Sequence, residues 1–96
     1  MLKQKEINLN RVKVRAFSLS LQHGVLLIAV APRGFVMCGY LDINMAEKLK
    51  DAACVVRGVT TIEELLQKPV VRLSAQAQAL GVPCGMSGRD ALEKML

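Results

Sequence analysis

Two kinds of hydrophobic pattern meet near Asp42. Before it, apolar residues alternate with polar ones or form short unbroken runs between turn residues, which is typical of β-strands. After it, apolar positions recur every three to four residues, except in one short apolar segment from Ala52 to Val59. The pattern therefore predicts four strands, a helix, a fifth strand and then three helices.

The second strand carries a change in the phase of its alternation. A short strand around Ile7 precedes it, and Val14 and Ala16 then alternate with basic residues. The next apolar positions, Phe17 and Leu19, fall on the other set of alternate positions. Because one inserted residue would produce such a shift, we expect a bulge or a sharp bend near Ala16.

The third and fourth strands are apolar at nearly every position. They correspond to Val25–Ala31 and Phe35–Leu41, and neither alternates. A strand that is apolar on both faces is covered on both faces. Since a few short helices cannot cover both sides of a five-stranded sheet, we expect a second subunit to cover one of them.

Helix start signals follow the strands. Asn44, three residues before a glutamate, predicts the cap of the first helix, and Thr60 and Thr61 do the same for the second. Pro69 predicts the start of the third helix, and a glycine-rich loop precedes the last. A right-handed βαβ unit then joins the fourth and fifth strands.

These elements predict an α+β fold, a two-layer sandwich. Its mixed, mainly antiparallel sheet consists of an N-terminal β-meander and one βαβ unit, with the C-terminal helices on one face. The 96 residues form one domain, in which residues 1–41 are a β-rich oligomerisation region and residues 42–96 are α/β and helical.

Composition excludes several classes of protein. With 52% apolar and 22% charged residues the chain is not disordered, and no apolar run reaches the roughly 18–20 residues of a membrane span. The three cysteines are odd in number and follow no secretion signal, so we expect reduced thiols in the cytoplasm. Their spacing and the single histidine give no metal-binding pattern, and no cofactor motif is present, so neither group is predicted.

The net charge of +5 is concentrated at the N-terminus, where residues 1–15 hold five basic side chains and one acidic side chain. A basic arm can meet nucleic acid, but this arm has no aromatic residue to stack on bases. A charged edge strand explains the same residues, so nucleic acid is the less favoured partner.

The end of the fourth strand carries the candidate site. Cys38, Tyr40 and Asp42 share one side of the strand, and Gly39 lies between them, where a ligand or another backbone could approach closely. Arg57 follows in the next strand of the βαβ unit. The remaining candidate residues are the helix-capping pair Thr60 and Thr61.

A site at this position would be electropositive, because Arg57 and two helix N-termini meet there. The expected ligand is a small anion or a carboxylate, with Tyr40 as an amphipathic wall. A structural explanation stands beside this one. In it, Cys38 is a small buried apolar residue, Asp42 starts the helix, and Arg57 pairs with Asp42.

Much of the chain resembles the YunC-like family of small bacterial and archaeal proteins, a domain of unknown function. The resemblance rests on segments that occur in the same order, with Met37–Tyr40 as the most specific part: Gly34–Asp42, Val56–Val59, Thr61–Leu66, Ala79–Gly81 and Gly85–Leu92. It implies a homotetramer that forms through the N-terminal β region. No catalytic residue is implied, and among the cysteines only Cys38 falls on the family pattern.

The function predicted is therefore a small homo-oligomeric module of unknown activity, either ligand-binding or structural. One alternative is a small enzyme with a site around Cys38, Tyr40, Asp42 and Arg57. Another is a nucleic-acid binder that uses residues 3–15.

Overall fold

The computed structural model describes residues 2–96 and confirms the α+β class. In chain order its elements are β1 (Leu2–Leu9), β2 (Val12–Ser20), β3 (Val25–Ala31), β4 (Gly34–Met37), α1 (Ile43–Leu49), β5 (Ala53–Val55), α2 (Ile62–Gln67), β6 (Arg72–Leu73), α3 (Ala75–Ala79) and α4 (Gly88–Lys94). The longest of these helices have seven residues, so none has the length or apolarity to cross a membrane.

The strands form one open sheet in the order β1-β2-β3-β4-β5-β6. Strands β1 to β4 are an antiparallel meander, β4 and β5 are parallel neighbours joined through α1, and β6 is antiparallel to β5. The meander and the βαβ unit are both confirmed. The β1–β2 turn consists of Asn10 and Arg11, whose φ angles of 48° and 67° are those of a tight two-residue hairpin.

Side-chain alternation divides the apolar residues between two cores. The larger core lies on the face where Val36 and Cys54 point, and α2, α3 and α4 cover it, as predicted for the C-terminal helices. The smaller core lies on the opposite face and is closed by α1. It consists of Met37, Ile43, Ala46, Ala53 and Val55. The first helix therefore covers the other side of the sheet, but only over β4 and β5.

The rest of that second face has no covering element within residues 2–96. We call it the open face, formed by one apolar cross-strand set: Leu2, Phe17, Leu19, Leu26, Ile28 and Val30. Leu2 is 62% exposed, Leu19 37% and Val30 38%. Because most large apolar patches of folded proteins are buried or bind something, this face is a candidate interface.

The expected bulge near Ala16 is wrong. Strand β2 pairs residue for residue with β1 and with β3, without an inserted residue. Ala16 belongs to the larger core, whereas Phe17 and Leu19 point to the open face. The change of phase therefore marks the point where the apolar side chains of β2 pass from the helix-covered face to the open face, with Ser18 and Ser20 then on the helix-covered side.

The helix expected from Pro69 is also wrong. Residues 70–73 are extended beside β5, because the Val71 amide donates to the Val55 carbonyl and the Ser74 amide donates to the Ala53 carbonyl. The buried Ser74 hydroxyl accepts from the Ala53 amide at 2.9 Å and donates to the Asp51 carbonyl at 2.7 Å. The sheet thus has a sixth strand, and α3 begins only after Ser74.

Three further boundaries differ from the prediction. The fourth strand ends at Met37 and not at Leu41, so Tyr40 and Asp42 follow the strand and do not share a side of it with Cys38. The fifth strand is three residues long and not eight, because the chain leaves the sheet after Val55. The cap of α1 is Asp42 and not Asn44, since the Asp42 carboxylate accepts a hydrogen bond from the Asn44 amide at 2.8 Å.

A glycine at the start of α4 allows this helix to pack on α2. A Cβ atom on Gly88 would press against the Leu65 carbonyl oxygen. We expect Gly88→Ala to lower the free energy of unfolding by about 1–3 kcal/mol, because the two helices would have to separate. Urea unfolding measures the change. Gly39→Ala is the matched control, since a Cβ there would lie 3.6 Å from its nearest neighbour. An equal loss of unfolding free energy in both variants would contradict the close packing of α4 on α2 at Gly88.

Candidate functional site

Parallel pairing brings the ends of β4 and β5 to the same edge of the sheet. An open cleft of about 300 Å³ lies there. We call it the β4 cleft, and its lining residues are Gly24, Val25, Cys38, Gly39, Tyr40, Val59 and Thr60. It unites three of the six candidate residues, Cys38, Tyr40 and Thr60. The sequence analysis did not predict Gly24, Val25 and Val59 as site residues. The only signal for this part of the cleft was the expected turn at Gly24.

Cys38 continues the sheet by one residue beyond β4. Its amide donates to the Leu27 carbonyl at 3.0 Å, and its Sγ accepts from the Leu27 amide at 3.2 Å. The side chain is buried, and within residues 2–96 no side chain hydrogen-bonds to the thiol. Reactive cysteines usually lie beside a basic or positively charged group that bonds to the sulfur, and the Cys38 sulfur bonds to a main-chain amide instead, so this environment fits a small apolar residue.

Tyr40 closes one end of the cleft. Its side chain is largely exposed, and its hydroxyl lies so close to Gly24 that a Cβ atom at that position would collide with it. The ring therefore spans from the loop after β4 to the turn before β3. Tyr40 thus lines the cleft with an aromatic ring and a hydroxyl group, and its part in binding a ligand stays a prediction.

Two candidate residues are helix caps, and a third, Thr60, bonds to the first turn of α2. Asp42 caps α1, and the Thr61 hydroxyl oxygen accepts from the Glu64 amide at 3.1 Å at the start of α2. The Thr60 amide and hydroxyl both donate to the Glu64 carboxylate, at 2.8 and 2.9 Å, and these bonds lower the pKa of that carboxyl. Since the caps use these donors within the chain, the helix ends offer fewer free N–H groups to a ligand than the sequence suggested.

Arg57 lies beside the cleft with its charge free. A Cβ atom built on Gly39 would be 3.6 Å from the Arg57 Cγ and 4.0 Å from its Nε, so the arginine runs alongside this glycine. The ion pairs within residues 2–96 are Lys5–Glu63 and Lys68–Glu64, and Arg57 does not pair with Asp42. The structural alternative for Arg57 is therefore wrong, and a guanidinium without a carboxylate partner borders the site.

The chain can now be compared with known proteins. The model of the family described as "Domain of unknown function (DUF1805)" matches residues 37–95. This chain belongs to that family. The cleft residues from Cys38 to Thr60 thus lie within the DUF1805 match, and the predicted YunC-like membership is confirmed.

Two DUF1805-like relatives have no known function either. The uncharacterised protein YunC of Bacillus subtilis (strain 168) is 45% identical over 67 residues, 66% of this chain and 66% of that protein, so the match spans slightly less than two thirds of either. The crystal structure of a protein of unknown function from Thermoplasma acidophilum has a TM-score of 0.94 and 30% identity, covering 100% of this chain and 94% of that one. The description of neither relative names an activity.

The other two cysteines differ in environment. Cys54 is fully buried in the larger core, and burial raises its pKa from 9.0 to about 11, with a smaller contribution from the Cys84 thiol. Cys84 is exposed in the loop before α4. Burial in the larger core thus disfavours the thiolate form of Cys54.

This raised pKa predicts a pH dependence of stability. The unfolded chain releases the Cys54 proton near pH 9 and the folded chain only near pH 11, so this stabilisation is complete below pH 9 and is lost as the pH rises towards 11. The loss is on the order of 2 kcal/mol. We expect Cys54→Ala to show a flatter profile in urea unfolding under reducing conditions. The same pH dependence of stability in the wild-type protein and in Cys54→Ala would contradict the raised pKa of Cys54.

Proposed function

We propose that this protein is a small homo-oligomeric ligand-binding module, whose copies associate through the open face and whose β4 cleft takes a small anionic ligand. The observation that carries the proposal is an open cleft beside an arginine that has no carboxylate partner. A cleft with apolar walls and a few polar groups is the usual form of a small-molecule site.

Three features support the association of copies. The open face exposes a continuous apolar set on β1 to β3, and the neighbouring helix α1 exposes Met45 and Leu49 at 51% and 65%. A second copy that covers both would complete the smaller core. The resemblance to the YunC-like family favours a homotetramer, and the free cysteines are in keeping with the cytoplasm.

The alternative functions have less support. An enzyme that used Cys38 would need a base near the thiol, and within residues 2–96 the sulfur contacts only the Leu27 amide by hydrogen bonding. The basic residues of the arm do not form one surface, because Lys3 and Lys5 point to the helix-covered face and Lys13 and Arg15 to the other. Nucleic-acid binders usually gather such charges on one face.

The proposed assembly predicts a specific effect of a charge on the open face. We expect Leu19→Glu to shift the protein towards its 10.5 kDa monomer in size-exclusion chromatography with light scattering, because a buried unpaired charge is unfavourable at an interface. Circular dichroism should still show a folded chain, since Leu19 is already 37% exposed. The control is Val71→Glu, on an exposed valine beside β6, which should leave the oligomer unchanged. A wild-type protein that remains monomeric would contradict the proposal.

The proposed ligand site can be located without knowing the ligand. We expect at least one of three small anionic probes, acetate, inorganic phosphate and isovalerate, to perturb amide resonances at Gly24, Gly39 and Thr60 in ¹H–¹⁵N correlation spectra. A second cleft, beside Val71 and Cys84, serves as the internal control. Perturbations at that cleft alone, or spread over the surface, would contradict a site at β4.

A further inference from the structure

Two main-chain amides in the wall of the β4 cleft have no acceptor. The Cys38 amide is the last to bond to β3, and the Leu41 amide donates to the Cys38 carbonyl at 3.3 Å. Between them, the amides of Gly39 and Tyr40 donate to no backbone or side-chain acceptor within residues 2–96. Consecutive free N–H groups are a recurring way in which proteins bind anions.

A positive side chain lies next to these amides. The Arg57 side chain runs alongside Gly39, and the guanidinium has no ion-pair partner among the described residues. The absence of a side chain on Gly39 has no internal explanation, because a Cβ there would make only ordinary contacts. It lets the Arg57 side chain lie close to the Gly39 main chain, which itself lines the cleft.

The remaining walls of the cleft are apolar. Val25, Cys38 and Val59 contribute them, and all three are half-buried or buried. The volume of about 300 Å³ equals that of roughly ten water molecules. A ligand that fills it has few atoms and an apolar body, whereas the doubly charged form of phosphate would face apolar walls with a single cation to balance it.

From this arrangement we infer that the β4 cleft binds a small aliphatic carboxylic acid in its ionised form. The Gly39 and Tyr40 amides and the Arg57 guanidinium hold the carboxylate, and Val25 and Val59 contact the hydrocarbon part. The inference rests on the proposed ligand-binding function and names the class of ligand for that site.

The test compares two probes of the same shape and different charge. Isovalerate and isovaleramide are titrated separately into the full-length protein while ¹H–¹⁵N correlation spectra are recorded. We expect isovalerate to saturate the cleft resonances and to move the Gly39 and Tyr40 amide protons downfield, as hydrogen bonds to a carboxylate do. Isovaleramide should bind at least about tenfold more weakly, because it lacks the charge.

Matched arginine variants test the cation. Arg57→Met should weaken isovalerate binding by at least about tenfold, and Arg72→Met, on an exposed arginine of β6, should leave it unchanged. Phosphate that binds more tightly than isovalerate would overturn the choice of carboxylate. Equal binding of acid and amide, or equal effects of the two variants, would overturn the inference and leave a ligand cleft at β4. If no probe perturbs the cleft, both the inference and the proposed ligand site are wrong.

Discussion

The pairing of β4 with β5 is the contact on which the rest of the molecule depends. It is the only parallel pairing within residues 2–96, and it consists of three residue pairs from Phe35↔Ala53 to Met37↔Val55. Two further hydrogen bonds extend it, from the Phe35 amide to the Ala52 carbonyl and from the Val56 amide to the Met37 carbonyl. A parallel pair requires a crossover, and α1 provides it.

This short pairing has consequences on both faces of the sheet. Alternate residues of the two strands enter the larger core under α2–α4 and the smaller core under α1. The larger core is complete within one chain, whereas the smaller one continues into the exposed apolar residues of the open face. The same pairing makes both strands leave the sheet at one edge, which brings Tyr40 and Thr60, twenty residues apart in sequence, to one cleft.

Local signals in the sequence predicted local features well. The meander followed from turns between apolar runs, and the cap at Thr61 followed from the glutamate three residues later. The sequence failed where a distant partner decides the structure. Residues 70–73 have helical spacing, but hydrogen bonds to β5 keep them extended. The change of phase after Ala16 resembled a bulge, because the sequence of one strand does not reveal that its apolar residues can pass from one face of a regular sheet to the other.

Prediction of the candidate site from the sequence also fails where distant residues decide the structure. The position of the cleft at the end of β4 could be predicted from the βαβ unit, and so could the presence of Tyr40 and Arg57 near it, whose binding roles stay predictions. The free amides of Gly39 and Tyr40 could not, because an unused donor is identified only after every partner has been found.

Amide hydrogen exchange of the ligand-free protein tests this account most directly. If the β4–β5 pairing holds the fold, the Phe35 and Val56 amides exchange only through global unfolding and rank among the slowest. The Gly39 and Tyr40 amides, a few residues away, then exchange rapidly because nothing binds them. Val56 exchanging as fast as Gly39, or a Gly39 amide protected without a ligand, would contradict the account.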